Sequence, residues 1–152
     1  MNTFTEEPGK CPQCQYQGVD VSYDTVLSLA YEFVKSRLNY SQFYLCTNPI
    51  CNVAYFSNNQ KIMVNDIKVP IWFKNTKEKY IVCYCRDITL DDVINIIKEE
   101  NELTAEQIIK ILKKENVPTN CILHMPTGES CDRLFHRAVE YAKRLVLNQK
   151  NN

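Results

Sequence analysis

The sequence predicts an α+β chain made of two small domains, the first mixing helix with short strands and the second all-α. The eight cysteines fall into two groups of four, separated by the cysteine-free stretch 52–82. The first group lies among short β-branched and aromatic runs, and the second lies among capped amphipathic segments. A polar linker at 75–79 marks the boundary between the two domains, which gives domains of about residues 1–78 and 79–152.

Charge and hydropathy exclude several classes of protein. The 152 residues carry 18 Lys and Arg against 18 Asp and Glu, so the chain lacks the basic footprint of a nucleic-acid-binding protein. No apolar run approaches the ~20 residues that a membrane helix needs, and the start of the chain does not read as a signal peptide. Three glycines leave no material for a glycine-rich phosphate loop. We therefore expect a cytoplasmic chain with no nucleic-acid or membrane partner.

The cysteine count is the most informative part of the composition. A reducing cytoplasm does not favour a framework of four disulfides, so metal binding becomes the expected role of the thiols. Eight cysteines are twice the four ligands of one zinc ion or one [2Fe–2S] cluster. With every thiol assigned to a metal, none remains for nucleophilic catalysis, and no paired-carboxylate or Ser-His-Asp set can be singled out. A metal-binding or electron-transfer role is therefore favoured over an enzyme.

The first quartet has the spacing of a closed zinc site. Cys11, Cys14, Cys46 and Cys51 form the pattern C-x2-C-x31-C-x4-C. Each pair lies on a tight turn, and two such turns that converge give the four-sulfur tetrahedron of a structural zinc ion. So small a domain buries too little apolar area to be stably folded alone, and bound zinc would supply the missing stability.

Helical and strand patterns surround this first quartet. Short strands are predicted at 43–45, 53–56 and 67–69 from their β-branched and aromatic content. Between the two cysteine turns a helix is predicted, with Asp24 as its cap. Its apolar stripe would be formed by Val26, Leu29, Ala30, Phe33 and Val34.

The second quartet has a different spacing and predicts a different centre. Cys83, Cys85, Cys121 and Cys131 form the pattern C-x-C-x35-C-x9-C. The C-x-C pair is too tight for a typical zinc knuckle, but it can present two neighbouring sulfurs to one iron of a two-iron cluster. A second zinc site is the alternative for this quartet.

Capped helices connect the cysteines of the second half. Capping boxes with hydrophobic staples at Thr89–Asp92 and Thr104–Gln107 predict a helix–turn–helix hairpin. Such a hairpin could also suggest DNA binding, but the neutral charge and the acidic residues on both helices argue against it. All four sulfurs can lie at one end of this small bundle. A third helix is predicted to begin at Cys131, with an apolar face formed by Leu134, Ala138, Tyr141, Ala142 and Leu145.

These motifs resemble two known families. The run Ile81-Val-Cys-Tyr-Cys-Arg-Asp-Ile-Thr89, with two short helices and a distant cysteine pair after it, resembles the [2Fe–2S] domain of bacterioferritin-associated ferredoxin. The chain as a whole is more similar to the N-terminal region of the CopZ-type copper chaperones, which carry zinc and [2Fe–2S]. The shared motifs are Cys11-Pro-Gln-Cys14, Cys46-x4-Cys51 with Asn-Val-Ala-Tyr-Phe56 after it, Lys68-Val-Pro-Ile-Trp72, Val82-Cys-Tyr-Cys85, and Pro-x-Gly-x-x-Cys ending at Cys131.

The resemblance implies structural zinc on the first quartet and a redox-active [2Fe–2S] cluster on the second. In the copper chaperones the cluster is proposed to reduce Cu(II) to Cu(I), which a C-terminal domain then carries to an export ATPase. The sequence contains no M-x-C-x-x-C carrier motif. We therefore expect a separate copper carrier, a copper-exporting ATPase or another redox protein as partner. Two alternatives stay open, namely a ferredoxin-like partner in iron mobilisation and a non-redox scaffold with two structural zincs.

Three arginines and one soft-ligand pair lie near the second quartet in sequence. Arg86, Arg133 and Arg137 would favour the reduced, more negative cluster if they surround it, and solvent-exposed arginines are the alternative. His124 and Met125 could form a soft copper site, although two ordinary loop side chains are the simpler interpretation.

Overall fold

The computed structural model describes residues 9–74, 79–100 and 103–150. The chain divides into two compact units. Unit 1 is Met1–Glu78 together with Ile122–Glu129, and unit 2 is Lys79–Cys121 together with Ser130–Asn152. The sequence pattern assigns 122–129 to the second domain, whereas in the structure this segment folds with the first unit.

Unit 1 is built on a four-stranded antiparallel sheet in the order β1-β2-β3-β4. Its strands are β1 (Val19–Val21), β2 (Phe43–Leu45), β3 (Val53–Phe56) and β4 (Lys61–Met63). The predicted strands at 43–45 and 53–56 are confirmed. The strand predicted at 67–69 was wrong, because Ile67 forms only an isolated bridge.

Two short helices replace the single helix predicted between the cysteine turns. They are α1 (Tyr23–Leu29) and α2 (Glu32–Lys35). The cap of α1 is Ser22 instead of Asp24, since Ser22 Oγ accepts the backbone N–H of Thr25 at 3.2 Å. Ala30 ends α1 with an extended backbone at ψ 145° and bridges to Ile67. This break explains why the prediction was wrong for Phe33, which is 61% exposed although it fits the apolar stripe.

Unit 1 has two packed apolar groups. The larger group joins α1 to the sheet, and Val26, Phe43 and Tyr55 are fully buried in it. The smaller group packs Val53 and Phe56 against the cysteines of the first quartet. The first quartet therefore adjoins the sheet.

Unit 2 combines three helices with a small β-ribbon. The ribbon pairs β5 (Ile81–Cys83) with β6 (Ile88–Thr89) in antiparallel fashion, so the prediction of an all-α second half was wrong in this respect. The physical reason is the tight turn at 84–87, in which Asp87 adopts φ 53° and brings the apolar run at 81–83 back onto Ile88. The helices are α3 (Leu90–Glu99), α4 (Ala105–Ile111) and α6 (Asp132–Lys150). The single helical turn α5 (Cys121–His124) begins at Cys121, the last residue of unit 2 before the segment 122–129 that belongs to unit 1.

The predicted helix starts of unit 2 are confirmed in atomic detail. Thr89 Oγ1 accepts the backbone N–H of Asp92 at 3.1 Å, and Asp92 Oδ2 accepts the backbone N–H of Thr89 at 3.0 Å. Thr104 forms the same capping box with Gln107.

The long helix α6 packs against α3, but Tyr141 is 44% exposed, which contradicts its predicted place on the apolar face. Within the described ranges, no helix has both the length and the apolar character needed to cross a bilayer. The residues of α6 that are buried are Leu134, Phe135, Ala138, Val139, Ala142 and Val146.

Candidate metal centres

The first quartet converges on one point in unit 1. The Sγ atoms of Cys11, Cys14, Cys46 and Cys51 all lie within 4.8 Å of one another, and Cys14 and Cys46 are 3.6 Å apart. A tetrahedral zinc ion with bonds of about 2.3 Å sets its sulfur ligands about 3.8 Å apart. The four sulfurs therefore already have nearly the arrangement of a four-thiolate zinc site.

Two turns hold these four sulfurs in place. In the first turn the backbone N–H of Gln15, a residue at φ 68°, donates to the Cys11 carbonyl at 2.9 Å. In the second turn Asn48 Oδ1 accepts the backbone N–H of Ile50 at 3.1 Å. Cys46 and Cys51 follow β2 and precede β3, so the pairing of these two neighbouring strands brings the second turn to its place.

The thiols of the first quartet differ in acidity. Burial raises the pKa of Cys14, but hydrogen bonds from the Tyr16 backbone, Asn48 and neighbouring thiols outweigh it and leave the pKa lowered to about 7. Burial raises the pKa of Cys46 to about 12, against the lowering effect of the Asn48 backbone and the Lys74 charge. One thiolate is thus favoured without metal, and a bound cation is needed to hold all four sulfurs in the thiolate form.

The second quartet forms an extended row in unit 2. Cys85 Sγ lies 4.0 Å from Cys121 Sγ, which in turn lies 4.0 Å from Cys131 Sγ. Cys131 also shares a hydrogen bond with Cys83. Unlike the first quartet, these four described residues are not a group whose sulfurs all lie within 4.8 Å of one another. The row is more extended than a single tetrahedral ion requires.

The ribbon and two helix starts position this row. Cys83 ends β5, Cys121 begins α5, and Cys131 directly precedes α6, where its carbonyl accepts the backbone N–H of Phe135 at 2.8 Å. Cys83 and Cys131 are buried, whereas Cys85 and Cys121 are partly exposed. The Cys85–Cys121 end of the row therefore reaches the surface.

Arg86 lies against the buried end of the row. Its Nη1 donates to Cys83 Sγ at 3.6 Å, and its Nε is buried with no hydrogen-bond partner among the described residues. The Lys114 ammonium donates to the carbonyls of Arg86 and Asp87 at 2.8 and 3.0 Å, which pins the turn that carries Arg86. A buried N–H without a partner, on the side chain that contacts Cys83, fits a centre that brings its own acceptor atoms, as the sulfides of an iron–sulfur cluster do.

The two buried thiols, Cys83 and Cys131, have opposite pKa shifts. The hydrogen bond from Cys131 is the main reason that the pKa of Cys83 is lowered to about 6, and the backbone and charge of Arg86 also contribute. The same hydrogen bond raises the pKa of Cys131. Cys83 is therefore the thiolate of the pair, and a metal ion would take the place of the proton that Cys131 donates.

The other residues suggested by the sequence lie elsewhere. Arg133 and Arg137 are exposed on α6, whereas Arg86 contacts the sulfur of Cys83. Met125 is buried and His124 is exposed, so the two side chains do not come together as a pair of copper ligands.

Two supporting groups were missed by sequence reasoning. The backbone N–H of Asn120 donates to Cys85 Sγ at 3.2 Å, and Lys114 fixes the turn at 84–87. A position next to a ligand cysteine is a weak signal for Asn120, and no local signal marks Lys114, which reaches the turn from beyond α4.

Comparison with known proteins identifies the N-terminal region. Residues 8–69 match the family model zf_CopZ, described as a zinc binding domain. A stretch of 80 residues is 30% identical to the copper chaperone CopZ of Archaeoglobus fulgidus and covers 53% of this chain and 39% of that protein. The chain thus spans about two fifths of the length of the curated relative it matches. Residues 8–69 are thus similar to a zinc binding domain of the CopZ type.

A solved structure has the same fold. The X-ray structure of the Archaeoglobus fulgidus CopZ N-terminal domain matches with a TM-score of 0.67 at 24% sequence identity. The match covers 84% of this chain and 95% of the solved chain, so the likeness in fold extends well beyond the 62 residues from 8 to 69.

Proposed function

We propose that the chain is an electron-transfer protein of the CopZ N-terminal type that acts in copper handling. In this proposal the first quartet holds structural zinc, and the second quartet holds a [2Fe–2S] cluster that supplies one electron to reduce Cu(II) to Cu(I) for a separate carrier or export ATPase. The extended row of four cysteines, with the buried and unpartnered Nε of Arg86 beside it among the described residues, is the observation that carries the proposal.

The shape of the row supports a two-iron centre over a second zinc. One tetrahedral ion requires all six sulfur–sulfur separations to be similar, whereas a two-iron cluster takes its ligands as two pairs. Neighbouring sulfurs along the row are close enough to pair on one iron, because Cys121 Sγ lies 4.0 Å from both Cys85 Sγ and Cys131 Sγ.

The surrounding residues provide what an electron-transfer site needs. Arg86 places positive charge and N–H donors at the buried end, which favours the reduced form of a bound cluster. The backbone N–H of Asn120 donates to Cys85 and stabilises a thiolate at the other end. Because Cys85 and Cys121 are partly exposed, electrons would enter and leave at that end of the row.

Anaerobic reconstitution followed by metal and sulfide analysis tests the proposal. We expect about two irons, two acid-labile sulfides and one zinc per chain, with the visible absorption and reduced-state EPR signal of a [2Fe–2S] cluster. Cys85→Ser and Cys121→Ser should each weaken or abolish these signals, whereas Ser130→Ala, a neighbouring change outside the ligand set, should leave them intact. A colourless anaerobic protein with two zincs and no sulfide would overturn the proposal.

The copper step is tested separately on the reduced protein. We expect stoichiometric oxidation of the cluster on addition of Cu(II), with one Cu(I) trapped by a chelator for each electron lost. If the cluster is present but Cu(II) does not oxidise it, the copper role is refuted and the ferredoxin-like alternative in iron mobilisation takes its place.

A further inference from the structure

Lys74 is a buried lysine that lies next to the first quartet. It is 6% exposed, and its Nζ donates to the carbonyls of Asn48 and Cys51 at 2.9 and 3.2 Å. Both carbonyls belong to the turn at 46–51, which carries two of the four sulfurs. Lys74 lies beyond residues 8–69, the region matched as a zinc binding domain.

The ammonium group of Lys74 makes its hydrogen bonds to carbonyl groups. Among the residues that the structure describes, no Asp or Glu forms an ion pair with its ammonium group. Burying an ammonium is costly unless the charge is compensated, and carbonyl groups satisfy its hydrogen bonds without neutralising it. Four thiolates on a divalent zinc ion carry a net negative charge, and they are the nearby group that would compensate Lys74.

We propose that Lys74 is a positioning residue of the zinc centre, which fixes the turn at 46–51 through two carbonyls and offsets the negative charge of the four thiolates. The inference rests on zinc binding by the first quartet and is independent of the proposed cluster in unit 2.

Zinc release from the full-length, zinc-loaded protein tests this role. Lys74→Met keeps a long apolar stem and removes both the charge and the donors, so we expect zinc transfer to a chromogenic chelator to be about 10- to 100-fold faster. Lys74→Arg keeps the charge and should release zinc at close to the parental rate. Lys74→Gln keeps an N–H donor group but loses the charge, so its release rate should lie between those of Lys74→Arg and Lys74→Met. Lys61→Met, which removes an exposed lysine on β4, is the matched control and should behave like the parent protein.

Cobalt substitution gives a readout that general destabilisation would not produce. The thiolate-to-cobalt absorption reports how many sulfurs bind the metal, so it should be preserved in Lys74→Arg and altered in Lys74→Met. The proposal is overturned if Lys74→Met releases zinc at the parental rate, or if Lys74→Arg releases it as fast as Lys74→Met. If Lys74→Met fails to fold, Lys74→Gln takes its place in the comparison. The proposal is then overturned if Lys74→Gln and Lys74→Arg release zinc at the same rate.

Discussion

Replacing Arg86 with methionine should lower the reduction potential of the proposed cluster. Its Nη1 lies 3.6 Å from Cys83 Sγ, and an added electron would reside on irons somewhat further away. For unit charges roughly 6 Å apart at an effective dielectric constant of about 20, the interaction is about 3 kcal/mol. That energy corresponds to roughly 120 mV for one electron, at 59 mV for each tenfold change.

The expected shift is smaller than this upper value. Arg86 is only partly buried, and solvent screens part of its charge, so we expect the potential to fall by about 50 mV. The direction follows from the charges, because a nearby cation stabilises the reduced, more negative cluster more than the oxidised one.

An anaerobic redox titration followed by visible absorption measures this shift. Arg144→Met, which removes an exposed arginine from α6, serves as the control and should leave the potential unchanged. Arg86→Lys keeps the charge but not the guanidinium donors, so its potential should lie between those of the parent and Arg86→Met. An unchanged or higher potential in Arg86→Met, at full iron and sulfide content, would refute the electrostatic reasoning.

Three further substitutions test the fold of the metal-loaded protein by urea unfolding. Tyr55→Phe removes the hydroxyl that donates to the Pro126 carbonyl at 2.5 Å and should cost unit 1 about 1–3 kcal/mol, because a buried acceptor loses its partner. Gly128→Ala should cost about 1–2 kcal/mol, since Gly128 has φ 75° and a Cβ there would lie 2.8 Å from Thr25 Oγ1. Thr89→Ala removes the cap of α3 and should cost unit 2 about 1 kcal/mol.

Control substitutions test whether the removed group is the cause of the lost stability. Tyr16→Phe alters an exposed tyrosine and should leave stability unchanged, and Thr89→Ser keeps a capping hydroxyl and should retain most of the stability. Equal unfolding midpoints for Tyr55→Phe and the parent would contradict the role given to that hydrogen bond. A neutral Gly128→Ala would mean that the turn at 126–128 relaxes at no cost.

Local signals account for the parts of the fold that the sequence predicts correctly. The capping boxes at Thr89 and Thr104 involve residues three positions apart, so they can be recognised without knowing the rest of the fold. Strands β2 and β3 follow from short runs that are apolar or aromatic throughout. The convergence of Cys11, Cys14, Cys46 and Cys51 is equally predictable, because ligand spacing is itself a sequence pattern.

Long-range contacts account for the parts of the fold that the sequence does not predict. The hydroxyl groups of Thr25 and Ser28 donate to the carbonyls of Ile122 and Leu123 at 2.5 and 2.6 Å, across more than 90 residues of sequence. Nothing near 122–129 signals those partners. The exposure of Phe33 likewise follows from a helix break at Ala30, which bridges to a residue far along the chain.

The membership of 122–129 in unit 1 has a consequence for the order of events during synthesis. All four cysteines of the first quartet have left the ribosome once residue 51 has emerged, so zinc can be acquired early. Tyr55, however, has to wait for Pro126, which is made only after most of unit 2. Unit 1 can therefore bind its metal early but complete its core only late, and a chain truncated after residue 78 would lack the Pro126 carbonyl that accepts the Tyr55 hydroxyl.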